Sequence, residues 1–122
     1  IAVETSMQLL RHLGRSPRRT FYSSRMGVPG SSSQRVLDLV AHVGGTEYVT
    51  GHGATNYLDH QSFEDAGIGV SYMRYKFDAW RVDNRAGDVA VSYLDLLAHK
   101  GLSSFERHVC GETVGWKEFL SG

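Results

Sequence analysis

Two histidines eight residues apart, His52 and His60, frame the stretch of this sequence in which chemistry is easiest to write. Imidazole titrates near neutral pH, so either ring is chemically able to act as a general base. His52 sits between Gly51 and Gly53, and small residues there let a backbone approach a ligand closely. Thr50, Thr55 and Tyr57 place hydroxyls on both sides of that turn. Upstream, Ser23 and Ser24 open a second segment rich in glycine and serine, residues 23–33. Both segments are expected to lead into helix N-termini, whose free amides favour an anion. The expectation is therefore a small anionic substrate held by Ser23, Ser24, Thr50, Gly51, Gly53 and Tyr57, with His52 as the catalytic base. Tyr57 follows the turn and is placed to point its phenol at the loop. Plainer readings stand beside these. Gly- and Ser-rich connections often serve geometry alone, a turn histidine is often a solvated group, and a tyrosine often packs.

The same spacings exclude much. Residues 23–33 lack the Gly-x-x-x-x-Gly-Lys-Ser/Thr pattern of a P-loop, and Gly51-His52-Gly53 lacks the third glycine of a dinucleotide fingerprint. The six histidines make no His-Glu-x-x-His spacing and no Cys-x-x-Cys exists, so no metal site is expected and no cofactor is named. Cys110 is the single cysteine, which forbids an internal disulfide and fits a reducing, cytoplasmic setting. It matches no nucleophile pattern and reads as structural. No run of 18 apolar residues marks a membrane span. Lys plus Arg total 13 and Asp plus Glu total 13, a balance that argues against nucleic acid as a partner.

The elements that must position these residues follow from periodicity and end signals. Residues 4–13 carry Met7, Leu9, Leu10 and Leu13 at helical steps, closed by Gly14. Residues 20–23, aromatic and β-branched, read as a strand. Ser31 and Gln34 have capping-box spacing before a helix with Val36, Leu39, Val40 and Val43 on one face. Residues 46–50 read as a strand, 54–66 as a helix broken near Asp59, and 68–77 as a strand in which Ile68, Val70 and Tyr72 alternate with Gly69, Ser71 and Met73. Residues 78–88 read as a loop or hairpin. Ser92 with Asp95, and Val91 with Leu96, announce a helix over 93–100, stopped by Gly101. Ser103 and Glu106 suggest another short helix, and Trp116 and Phe119 one amphipathic turn in the tail. Strands alternating with helices predict a three-layer α/β fold, Rossmann-like βαβ units around a mainly parallel sheet, in one domain over 1–122. Ligands of such sheets bind beyond the carboxyl ends of the strands, which selects 23–33 and 50–57.

The run from Tyr48 through Leu58, Tyr-Val-Thr-Gly-His-Gly-Ala-Thr-Asn-Tyr-Leu, resembles the WbqC-like protein family. Phe63, Gly67-Ile68 and Val70 follow in the family's order, as does Ser92-Tyr93-Leu94-Asp95-Leu96-Leu97 with Gly101. Ser23-Ser24 fits an upstream Ser-Ser segment. The likeness covers roughly residues 4–105. The family's His-Gln-Pro-x-Tyr-x-Pro-Trp-type segment is absent, and Trp80-Arg81-Val82 lacks the expected Gln. With Ile1 as first residue, the chain is expected to be the C-terminal half of a longer protein whose missing N-terminal half is a partner. The resemblance implies a biosynthetic protein of bacterial surface-polysaccharide or related small-molecule assembly, with glycine or aminoacyl transfer as the suggested reaction, in which Ser24 and Tyr57 would orient the acceptor. Two rival readings are a nucleotide- or sugar-nucleotide-binding domain without its own catalysis, and a structural half-domain that completes a larger fold.

Overall fold

The computed structural model of the chain describes residues 1–77, 93–104 and 109–122. The expected loop at 78–88, Trp80, and the Ser92, Val91 and Glu106 signals lie outside them, as do the side chains of Asp95 and Cys110.

The chain opens with α1 (Ala2–His12), where Arg11 Nη1 and Glu4 Oε1 meet at 3.2 Å. The expected strand at 20–23 is not formed. In its place lies a short 3-10 turn, Ser23–Arg25, in an exposed stretch. A strand needs a neighbour for its backbone groups, and the guanidinium groups of Arg19 and Arg25 instead lie over the rings of Phe21 and Tyr22. Residues 23–33 therefore join two helices and are not a loop at the end of a strand.

Helix α2 (Ser32–His42) begins where expected, but not by the expected capping box. Ser31 makes no side-chain cap, Ser32 has a φ of 54°, and Gln34 Nε2 donates to Asp38 Oδ1 at 2.8 Å. A positive φ at Ser32 turns the chain away from the geometry a capping box requires. At the other end, a Cβ on Gly45 would lie 2.8 Å from Val40 Cγ1, so only glycine allows this tight return into β1 (Glu47–Thr50).

A 3-10 turn, His52–Asn56, and α3 (His60–Asp65) then carry the chain back to β2 (Gly69–Phe77). Strands β1 and β2 are parallel, with Thr50 beside Tyr72. After α4 (Tyr93–Lys100), which forms as its sequence signals predict, β3 (Val109–Gly115) pairs antiparallel with β2, Val114 beside Tyr72. The tail closes as α5 (Trp116–Ser121). Among the described residues the sheet is thus mixed, in the order β1-β2-β3, and not mainly parallel. The sequence of β3, with two glycines and a glutamate, carries little strand signal. A tail returning alongside β2 needs no helical crossover, so alternation of strands and helices did not foretell its direction.

Alternation along the strands decides where the core sits. Tyr48, Val70, Tyr72 and Val114 share one sheet face. Val36, Leu37 and Val40 of α2, Phe63 of α3, and Trp116 and Phe119 of α5 pack in that cluster. On the opposite face Val49 and Tyr75 are exposed, and Ser71 Oγ donates to Glu47 Oε1 at 2.6 Å. Helices cover one face among the described residues, which is mixed α/β without the expected three-layer, Rossmann-like arrangement. A second cluster joins α1 to α4, Leu96 being buried against Leu9, Leu13 and Leu97.

Candidate functional site

The covered face of the sheet gathers titratable groups near the carboxyl end of β1. Tyr72 is fully buried, its ring stacked on Phe119 at 4.4 Å. Its hydroxyl and His60 Nε2 share a hydrogen bond of 2.8 Å. Burial raises the Tyr72 phenol above its ordinary value, and Tyr57 and Tyr48 add to the rise. The phenol therefore stays protonated at neutral pH, and which partner donates in its bond to His60 Nε2 follows the tautomer of the ring. That ring lies over Trp116 at 4.7 Å.

α3 fixes His60 at its first residue. Asp59 caps the helix, accepting from the Ser62 amide at 3.3 Å and from the Ser62 hydroxyl at 2.7 Å. Those bonds lower the Asp59 carboxyl, the hydroxyl contributing most. The Asp59 amide donates to Ser33 Oγ at 2.8 Å, which ties α3 to the start of α2. From α5, Trp116 Nε1 donates to Glu64 Oε1 at 3.0 Å and Lys117 pairs with the same carboxylate at 2.8 Å. These partners hold Glu64 below the usual carboxylate range, Lys117 foremost.

His52 opens the turn after β1 and is exposed, its ring in edge contact with Phe119 at 4.8 Å. It hydrogen-bonds to no other described side chain. Thr55 Oγ1 donates to the His52 carbonyl at 2.8 Å, so that hydroxyl serves the turn. Neither Gly51 nor Gly53 has a positive φ, and a Cβ on either would meet nothing within 4 Å. The fold itself does not demand glycine there, and the backbone is left open to approach.

Tyr57 is half-exposed, and burial, then the nearby Tyr48 phenol, raises its own phenol. It faces the start of α2 across an open cleft of about 360 Å³, lined with it by Gly30, Ser31, Ser32, Arg35, Val36 and Leu39. Arg35 Nε donates to the Val28 carbonyl at 3.3 Å, which anchors the guanidinium beside the cleft.

The structure thus brings Tyr57 to the end of the 23–33 segment, but through Gly30–Ser32, not through Ser23 and Ser24. Those two serines lie exposed in their own turn. Thr50 lies half-buried beside Tyr72. Sequence reasoning gave Arg35 no role, and read Tyr72, Trp116 and Phe119 as packing residues without joining them to the site. The alternation over 68–77 did place Tyr72 on the apolar face, but no local pattern joins it to His60. Among the described residues no three His, Cys, Asp or Glu side chains gather as a metal site, and no helix is long and apolar enough to cross a membrane.

Of the residues that carried the family resemblance, Tyr48, Ala54, Leu58, Phe63, Ile68 and Val70 lie in the main cluster, whereas Ser23, Ser24, Val49, His52, Gly53, Asn56 and Tyr57 are exposed. No curated protein and no solved structure matches the chain. A family model, that of the WbqC-like protein family, matches residues 2–107. The match opens within α1 and runs across most of the chain, which corrects its expected restriction to the family's C-terminal half. By that match, the chain belongs to the WbqC-like protein family.

Proposed function

We propose that this protein binds a small anionic substrate in the cleft between Tyr57 and the start of α2, and transfers an acyl or aminoacyl group, such as glycyl, to a small acceptor. The setting would be bacterial surface-polysaccharide or related biosynthesis, the role that resemblance to the family suggests. The observation that carries the binding reading is the cleft's chemistry. Gly30, Ser31 and Ser32 line it at an α2 N-terminus without a side-chain cap, Arg35 adds a cation, and Tyr57 adds a phenol. Free helix amides and a guanidinium both favour a carboxylate or phosphate. His52 is the proposed base and Thr50, Gly51 and Gly53 the open backbone beside it. Ser23 and Ser24 would enter only if their turn moves toward the cleft.

A second reading, nucleotide or sugar-nucleotide binding without catalysis, is favoured by one feature of His52. A general base is usually oriented by a hydrogen-bonded third group, and among the described residues the His52 ring meets only the Phe119 edge. Titration of the protein with inorganic phosphate, glycine and a sugar nucleotide, followed by amide NMR, tests the binding site. Shifts at Gly30–Ser32 that vanish in Arg35→Ala support it, and shifts elsewhere refute it. In a glycyl-transfer assay, loss of turnover in His52→Ala with binding retained supports the transferase. Unchanged turnover removes His52 from the mechanism.

A further inference from the structure

The balanced net charge conceals a strong segregation. Residues 5–37 hold six arginines (Arg11, Arg15, Arg18, Arg19, Arg25 and Arg35) and no Asp, Glu or Lys. The rest of the chain compensates, with seven basic residues against all thirteen acidic ones. Within the basic region, every residue from 14 to 25 is exposed. Arg18, Arg19 and Arg25 pair with no carboxylate among the described residues. Phe21 and Tyr22 lie between them, each 47% exposed. The Arg19 guanidinium carbon lies 5.2 Å from the Phe21 ring centre, and that of Arg25 lies 5.0 Å from the Tyr22 ring centre.

From this arrangement we infer that residues 18–25 form a binding surface for single-stranded nucleic acid, apart from the proposed substrate cleft. Three properties point to that ligand. Arginine grips phosphate with a planar fork, and its stacked guanidinium stays charged. Two exposed rings offer bases a stacking platform that is tolerant of sequence. An open stretch, exposed from end to end, suits a ligand that runs along it and not one that must be enclosed. An anionic membrane would use the charge but presents no planar groups to stack on the two rings. A free nucleotide would engage one ring and leave most of the cations idle.

The test is fluorescence anisotropy of the full chain with labelled 12-residue single-stranded RNA and DNA, across a salt series. Binding is expected to weaken with salt. Substituting Arg18, Arg19 and Arg25 together by Gln is expected to flatten the log–log salt slope by about 2, at ~0.7 for each phosphate no longer neutralised. Phe21→Leu with Tyr22→Leu is expected to weaken binding at least ~5-fold while leaving that slope in place. All five positions are exposed, and circular dichroism checks that the variants fold. Parallel arms use phosphatidylglycerol vesicles and a nucleoside diphosphate. Absence of oligonucleotide binding at low salt overturns the inference. So does binding that both variants leave intact, or tighter binding to the vesicles or to the nucleoside diphosphate than to the oligonucleotide.

Discussion

Replacing Tyr72 by Phe removes one oxygen from the most enclosed side chain of the site. The ring remains, and with it the stack on Phe119 at 4.4 Å. What disappears is the 2.8 Å hydrogen bond to His60. A neutral hydrogen bond contributes about 1 kcal/mol net. His60 is only partly buried, which limits the desolvation penalty on its freed nitrogen. Tyr72→Ala removes the ring as well and leaves a cavity under α5, a loss of about 3–5 kcal/mol. Urea unfolding followed by circular dichroism separates the two. With a slope of ~1–3 kcal/mol per molar, Phe lowers the midpoint by roughly 0.3–1 M at constant slope, and Ala lowers it several-fold more. The side-chain resonances of His60 give an independent reading, because loss of the phenol removes the hydrogen-bond partner of its Nε2. A Phe variant as stable as the parent, with the His60 ring resonances unchanged, would refute the hydrogen bond. A Phe variant as damaged as Ala would show that the oxygen supports more than one partner.

Three further outcomes follow from the same geometry. The Asp59 and Glu64 carboxyls lie below their ordinary values, so the stability they confer is present above the unfolded carboxylate range and disappears as pH falls through their folded values. Melting temperatures from pH 7 to pH 3 should therefore fall less steeply in Asp59→Asn and Glu64→Gln than in the parent. At the alkaline end the sign reverses. Tyr57 and Tyr72 titrate above 10.0 when folded, so their contribution is complete below that pH and is lost as pH rises through the folded values. Tyr72→Phe should flatten the decline in melting temperature above pH 10. Gly45→Ala forces a Cβ to within 2.8 Å of Val40 Cγ1 and should cost about 1–3 kcal/mol in urea unfolding. An unchanged midpoint would mean that the α2–β1 return can open.

The histidine pair shows how much of the site was legible in advance. Both rings were visible in the sequence as candidate bases, but their roles in the fold differ. His60 is drawn in by Tyr72 and Trp116, from β2 and α5, whereas His52 stays exposed with one ring edge for company. Contacts separated by twelve or more residues leave no trace in a window of local periodicity. Arg35 was hidden for the same reason, since its place beside Tyr57 depends on how α2 meets the turn after β1.

By itself the sequence determined the elements whose signals are local. It marked α1, α2, β1, α4 and the buried face of β2, because helical and strand periodicities and glycine stops act within a few residues. It also determined the family, because several short motifs stand in the family's order along the chain, and order along the chain is itself a property of the sequence. Tertiary structure alone decided that residues 20–23 find no strand partner, that β3 returns antiparallel, and that helices cover one sheet face among the described residues. Pairing and packing are contacts between distant segments, and their energies enter only when the chain has closed the loops between them.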